Sequence, residues 1–287
     1  MTSEKSPDAV QMDAYEVSLA DILAFLQRHL KIIISLAVLG AVLGVAITFA
    51  LQKQWEGKVT LQVGRAAGSP VVGPDGPLIE SLQQTVGRIQ LNAFRDKVAA
   101  EVLPPLRGNV DELRKSVVWK ALKARTVQGT AYFEITARGT SPEQAEQALN
   151  AASHLSQVEH AAILERARAL PKQQLSVIDA AIEANTQAQQ ALSKALANSK
   201  NSDSVMALSA LQSSRTERAS LNESRFRAAQ MLAPDQSYNT RIISDVQVEQ
   251  TPAFPRKSFF GAGGLILGAL LGVLVGFRHT RSANARR

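Results

Sequence analysis

The chain contains no cysteine. That absence excludes a disulfide framework, a thiolate zinc site, an iron–sulfur cluster and a cysteine nucleophile, while leaving the redox compartment open. Histidine is scarce too. His29, His154, His160 and His279 are the only four, and two of them flank apolar blocks, so neither a histidine-rich metal site nor a histidine-based triad is expected. Charge is missing altogether from two long blocks, one near each end, although the mean hydropathy of -0.04 resembles that of a soluble protein.

Residues 32–51 (IIISLAVLGAVLGVAITFAL) are twenty uncharged positions between Lys31 and Gln52-Lys53. As a helix they reach about 30 Å, the thickness of a bilayer's hydrocarbon core. A cleaved signal peptide would instead have a short basic start and an apolar core of about 7–15 residues. Here some thirty mostly polar residues with five acids come first, so a retained span is expected. Residues 259–277 (FFGAGGLILGALLGVLVGF) form a second uncharged block between Arg256-Lys257 and Arg278. Gly264, Gly268, Gly272 and Gly276 recur every four residues along it, and Gly40 and Gly44 repeat the spacing in the first block. Such small-xxx-small stripes let membrane helices approach closely. The stripe is expected to pack helices, with assembly of the protein depending on it.

The net charge of +7 does not point to nucleic acid. Residues 1–31 carry 3 basic and 5 acidic side chains, residues 52–258 carry 25 and 20, and residues 278–287 carry 4 and none. Two spans put both ends on one side. The Arg-rich tail, with Arg28 and Lys31, places that side in the cytoplasm by the positive-inside rule. Lys53, Lys58, Arg256 and Lys257 oppose the charge argument, but a connecting domain of 207 residues translocates largely regardless of its charges.

Within that domain, the alternation of Lys58-Val59-Thr60-Leu61-Gln62-Val63 predicts a half-buried strand. Residues 68–77 (GSPVVGPDGP) predict a loop without regular structure. The spacing of Leu82, Val86, Ile89, Ala93 and Val98 predicts one amphipathic helix over 78–103, stopped by Pro104-Pro105, with another turn or two at 110–115. Strands are predicted at 117–127 and 131–138, joined at Gln128-Gly129 as a hairpin. Thr140-Ser141-Pro142-Glu143 is a helix start. No glycine follows until past residue 198, and Pro171 is the only breaker, so two helices or one bent helix are predicted. Leu175, Ile178, Ile182, Leu192 and Leu196 make a thin seam interrupted by Asn185 and Gln189, which suits a projecting arm better than a buried helix. A turn at 198–203 and a return helix over 204–232 complete a helical hairpin, and Ile242, Val246 and Val248 alternate with polar residues in a last strand over 241–249. The expected fold class is an α+β membrane protein, with two terminal transmembrane helices flanking a membrane-proximal α/β domain that carries a long projecting helical hairpin.

This layout resembles the bacterial polysaccharide co-polymerases, the chain-length determinant family. Residues 17–30 (VSLADILAFLQRHL) look like the family's short amphipathic helix leading into the first span. Thr251-Pro252-Ala253-Phe254-Pro255-Arg256-Lys257 looks like its proline-rich segment before the second, with two prolines where many members carry three. Taken alone, Pro252 and Pro255 read as ordinary terminators before a membrane helix. The resemblance implies a periplasmic domain on the inner membrane, assembled as a ring-like homo-oligomer that sets how far a polymerase extends an undecaprenyl-linked glycan. It implies no catalytic residue and no cofactor. It also marks Pro252, Pro255 and Lys257 as the proline-rich site. Its domain limits are a cytoplasmic N-terminal segment over 1–31, spans at 32–51 and 259–277, a periplasmic domain over 52–258 with an arm at about 142–232, and a cytoplasmic tail over 278–287. Some relatives carry or partner a cytoplasmic tyrosine kinase. The ten residues after the second block hold no Gly-x-x-x-x-Gly-Lys-Ser/Thr and no tyrosine, so the form without a kinase is expected.

No other chemistry stands out. Glu143, Glu146, Glu159, Glu165, Asp179 and Glu183 alternate with Gln and basic residues as a solvated face does, not as a catalytic carboxylate pair. Arg215, Arg218, Arg225 and Arg227 form the densest basic cluster of the outer domain, open to an acidic glycan, a neighbouring subunit or water. A chemoreceptor would need a cytoplasmic signalling region and a secretion adaptor normally has one span. The alternative function that remains is a structural scaffold in an envelope transport complex.

Overall fold

The computed structural model describes residues 19–198 and 202–284. They fall into two compact units, one within residues 1–52 and 254–287 and the other spanning 53–253.

The first unit is a pair of helices, α1 (Leu19–Ala50) and α8 (Lys257–Asn284). The short N-terminal helix and the span that follows it are one continuous helix, because nothing between 19 and 50 breaks it; Val17 and Ser18 lie outside the described residues. Each helix contains a stretch long and apolar enough to cross a membrane, Leu23–Ala50 and Lys257–Arg278. Their outward side chains stay exposed. Val38, Val42, Leu43 and Phe49 on α1 and Ile266, Leu270 and Leu274 on α8 are each more than half exposed. Apolar surface on that scale needs an apolar surrounding.

The second unit is built on a mixed-length antiparallel sheet in the order β4 (Lys123–Thr126), β5 (Tyr132–Gly139), β1 (Trp55–Gln62), β6 (Arg241–Ile242), with β7 (Gln247–Val248) also on β1. The first and last strands of the domain therefore share one sheet. Strand alternation divides its faces. Val59, Leu61, Phe133, Ile135 and Ala137 point into the core, while Lys58, Thr60, Glu134, Thr136 and Arg138 point the other way. Over the inner face lies the start of α6 (Pro142–Asn198), through Ala148, Leu149 and Ala152, and α3 (Asn92–Val102) packs against α6, adding Phe94 and Val98 to the same core.

Four expectations are corrected. The helix predicted over 78–103 is two, α2 (Leu82–Ile89) and α3. Ser81 and Gln84 close a capping box at the start of α2, and the extended backbone of Leu91 restarts the chain as the N-cap of α3. The strand predicted over 117–127 begins instead as helix α5 (Val117–Ala121), after α4 (Val110–Lys115). The Ser116 hydroxyl accepts from Trp119 N–H at 3.3 Å, Trp119 Nε1–H donates to Asp96 at 2.8 Å, and buried Val118 and Leu122 stand four apart, a helical spacing. The loop over 68–77 holds a small two-stranded ribbon, β2 (Val72–Gly73) with β3 (Gly76–Pro77), whose turn needs the positive φ of Gly76. The strand predicted over 241–249 is interrupted between β6 and β7. There Thr60 N–H donates to the Ser244 hydroxyl at 3.1 Å, so a side chain takes the place of a ladder carbonyl.

Helix α6 runs 57 residues, about 85 Å, and passes through Pro171 without ending. Ser141 caps it, its hydroxyl accepting from Gln144 N–H at 3.2 Å. The last α6 residue in the core cluster is Leu164. Beyond it, α7 (Ser202–Leu232) is its packing partner in the hairpin, starting two residues earlier than predicted. The centre of the predicted turn, 199–201, lies outside the described residues.

Candidate functional site

In the first unit the six glycines lie along one contact between α1 and α8, where Gly40 and Gly44 meet Gly264 and Gly268. A Cβ built on Gly40 would lie 3.0 Å from Gly268 Cα, one on Gly268 2.9 Å from Ala37 Cα, and one on Gly272 2.7 Å from Ile33 Cα. On Gly264 it would meet the Gly40 carbonyl, and on Gly44 that of Phe260. Backbone thus touches backbone along the stripe, and any side chain there would push the helices apart. The partner of the stripe is α1 of the same chain. Gly276 ends the contact against Phe25 and His29, and Phe25 stacks on Phe277 with centroids 4.3 Å apart. Lys257 Nζ sits 5.0 Å from the centroid of the Phe49 ring, a cation–π placement.

Pro252 and Pro255 lie between β7 and α8. Ala253 N–H donates to the Gln54 carbonyl at 2.8 Å, pinning this segment beside the residues that lead into β1.

On the arm, the four arginines are not one free cluster. Arg225 pairs with Asp179 of α6 at 2.6 Å and Arg227 with Glu223 at 2.8 Å. No ion pair joins Arg215 or Arg218 among the described residues. The polar interruptions of the seam bond to each other along α6 and to α7 across the hairpin. Asn185 Nδ2 donates to Glu217 at 3.0 Å, and Gln189 Nε2 donates to Asn185 Oδ1 at 2.9 Å and to the Ser214 carbonyl at 3.2 Å. Buried polar partners of this kind fix helix register at some cost in stability.

At the root of the arm is a buried polar cluster that sequence reasoning misses. His160 is 1% exposed. Its Nε2–H donates to Glu80 Oε2 at 3.0 Å and its Nδ1 hydrogen bonds with Thr240 Oγ1, which also accepts from Gly64 N–H at 3.0 Å. Glu80 also pairs with Arg88 of α2, whose Nε lies 3.7 Å from Glu159. Burial opposes ionisation of Glu80, but the His160 hydrogen bond and the charges of Arg88 and His160 outweigh it and hold its carboxyl below the usual range. The cluster ties α6, the lead-in to α2 and the lead-in to β6 at one point. One signal for it does lie in the sequence: Leu149, Ser153, Ser156, His160 and Leu164 share one buried face of α6. Glu80 and Thr240 give no pattern, being brought there only by topology. Among the described residues, no group of three or more His, Asp or Glu is arranged to hold a metal ion.

Residues 15–101 match the family described as Wzz, chain length determinant protein. Over that segment the chain is similar to the Wzz chain length determinant family. The Wzz segment takes in α1, β1, the β2–β3 ribbon, α2 and nearly all of α3, and so includes Gly40, Gly44, Glu80 and Arg88. No curated protein sequence matches the chain. Among solved structures, a full-length bacterial polysaccharide co-polymerase is similar at 12% identity, covering 93% of this chain and 99% of its own, with a TM-score of 0.40. A variant of the Shigella flexneri lipopolysaccharide O-antigen chain-length regulator is similar at 10% identity, over 71% of this chain and 100% of its own, with a TM-score of 0.23.

Proposed function

We propose that this protein is a non-catalytic regulator of surface polysaccharide chain length, held in the bacterial inner membrane by α1 and α8 with both termini cytoplasmic and the α/β domain periplasmic. The observation that carries this reading is the Wzz match over 15–101, which takes in all of α1 and runs into the sheet domain. The exposed apolar sides of α1 and α8 support the membrane placement. With no recognised set of residues for glycosyl transfer, the protein acts through contact, as a homo-oligomer, on a polysaccharide polymerase or on the growing undecaprenyl-linked glycan. The deciding experiment is a gel of surface polysaccharide from deletion and complemented strains. Deletion leaves synthesis running but gives a broader or shorter length distribution. Identical ladders would remove the chain-length reading and leave a scaffold of an envelope transport complex.

A further inference from the structure

The outer face of the sheet carries charge in rungs set by strand register. Glu56 on β1 stands opposite Arg138 on β5 and pairs with it at 2.6 Å. Further along β1, Thr60 stands opposite Glu134, which pairs with Arg125 of β4 at 2.8 Å. Both rungs neutralise themselves. The rung between them does not. Across it run Gln247, Lys58, Thr136 and Lys123, two exposed lysines on either side of a threonine with no carboxylate in register.

Two adjoining depressions open on this face and share Glu56, Lys123 and Thr136. Lys120 of α5 and Lys115 line the first, Lys115 being held by Glu112 at 2.7 Å. With the ion-paired side chains set aside, Lys58, Lys120 and Lys123 face one unpaired carboxylate, that of Glu249. The backbones of Lys58 and Lys123 are two strand spacings apart, about 10 Å, a gap that two flexible ammonium side chains close onto one anion above Thr136. Lysine binds phosphate in this way, as a mobile point charge without a fixed fork.

The first depression also includes Gln54, four residues beyond the end of α1 at Ala50. Four residues reach at most about 14 Å. If α1 ends at the edge of a bilayer, that tether limits how far Gln54, at the rim of the first depression, can stand from the headgroup layer.

We propose that the Lys58–Thr136–Lys123 rung, with Lys120 beside it, binds the phosphate of an anionic phospholipid headgroup at the membrane surface. The site rests on the reading of α1 and α8 as membrane spans, and not on the chain-length reading. The test uses the full chain purified in neutral detergent and titrated with phosphatidylglycerol or phosphatidylcholine, with bound lipid counted by native mass spectrometry. The wild-type chain retains phosphatidylglycerol in preference to phosphatidylcholine. Each lysine near an anionic surface contributes about 1 kcal/mol, roughly fivefold in affinity, so K58Q/K123Q binds roughly 25-fold more weakly. K194Q on the arm, an exposed lysine outside the site, binds as the wild type does. Circular dichroism of each variant shows the fold intact, as expected for exposed positions.

Equal retention of phosphatidylglycerol by wild type and K58Q/K123Q would overturn the proposal, as would equal retention of the two lipids by the wild type. Binding of polygalacturonate that is lost in K58Q/K123Q, with phosphatidylglycerol indifferent to both lysines, would also overturn it and assign the face to an acidic glycan. A wild-type chain that does not partition into membranes at all removes the spans and the lipid site with them, and the polysaccharide gel answers the chain-length reading separately.

Discussion

Glu80 is the residue where burial and charge meet most sharply. Its side chain is 16% exposed and lies between Arg88 and His160, so its ionised form is held by partners from two different elements. In the unfolded chain the same carboxyl titrates near 4.5. A folded pKa below the unfolded one means that the unfolded state takes up the proton first as pH falls. The stabilisation is therefore fully present above about pH 4.5 and is lost as pH drops through the folded value. Glu80→Gln keeps the shape and removes the charge, leaving Arg88 with only Glu159 at 3.7 Å. Hydrogen bonds to charged groups contribute about 1.5–3 kcal/mol, and the variant is expected to lose about 2 kcal/mol at pH 7. It should also show a flatter decline in stability between pH 6 and pH 3. Thermal melts across that range check both, and a wild-type-like acid slope in Glu80→Gln would show that the linkage lies elsewhere. Asp96 makes a smaller contribution of the same sign. The hydrogen bond from Arg114 holds its carboxyl low against desolvation, helped by Trp119, but the pair is exposed enough for solvent to screen most of it.

The helix pair α1–α8 shows what a repeating spacing can reveal at the level of an element. Four glycines at intervals of four predict a smooth stripe from sequence alone, because helical geometry needs nothing else. Which surface the stripe meets depends on the pairing of two segments more than 200 residues apart, and no local pattern encodes that. The structure makes the contact selective. Gly264 touches the Gly40 backbone, whereas its neighbour Gly263 has open space around it. Gly268→Leu should therefore weaken the pair by about 1 kcal/mol or more, while Gly263→Ala should leave it unchanged. Protease resistance and melting of the full chain in detergent micelles would separate them, and equal behaviour of the two variants would show that the stripe does not hold the spans together. The arm gives the opposite lesson. Leu175, Ile178 and Ile182 announce a seam in the sequence, where Asn185 and Gln189 read as gaps. In the structure they are its cross-links, bonded to Glu217 and Ser214 of α7. A polar residue at a core position becomes legible only with its partner. Strand propensity misleads for a related reason. The valines at 117–118 favour a strand, yet the Ser116 cap and the bond from Trp119 to Asp96 outweigh them.

At the scale of the whole molecule, order along the chain is a stronger guide than any single motif. Strands β1 and β6–β7 come from opposite ends of the domain and share one sheet, so the chain segments leading to α1 and to α8 both leave from that sheet. Two spans then require both termini on one side. Reporter fusions at Ser6 and Ala285 should read cytoplasmic and one at Ser199 periplasmic; a cytoplasmic signal at Ser199 would end the membrane reading of the domain. The proline segment is where the sheet and α8 are joined. Proline fixes φ and cannot donate a backbone hydrogen bond, so Pro252 and Pro255 stop α8 from extending back toward β7. Alanine, the best helix former, removes that stop, while the bond from Ala253 to Gln54 would resist the change. If polymer length is set by how subunits present their domains to a polymerase or glycan, loosening this joint alters the geometry without touching any reacting group. Pro252→Ala/Pro255→Ala should accordingly shift the modal length of the surface polysaccharide while polymer continues to be made. Protein level by immunoblot controls for lost expression. A ladder identical to that of the wild type at equal protein level would exclude the joint from length control, and a complete loss of polymer would point to a role in synthesis itself.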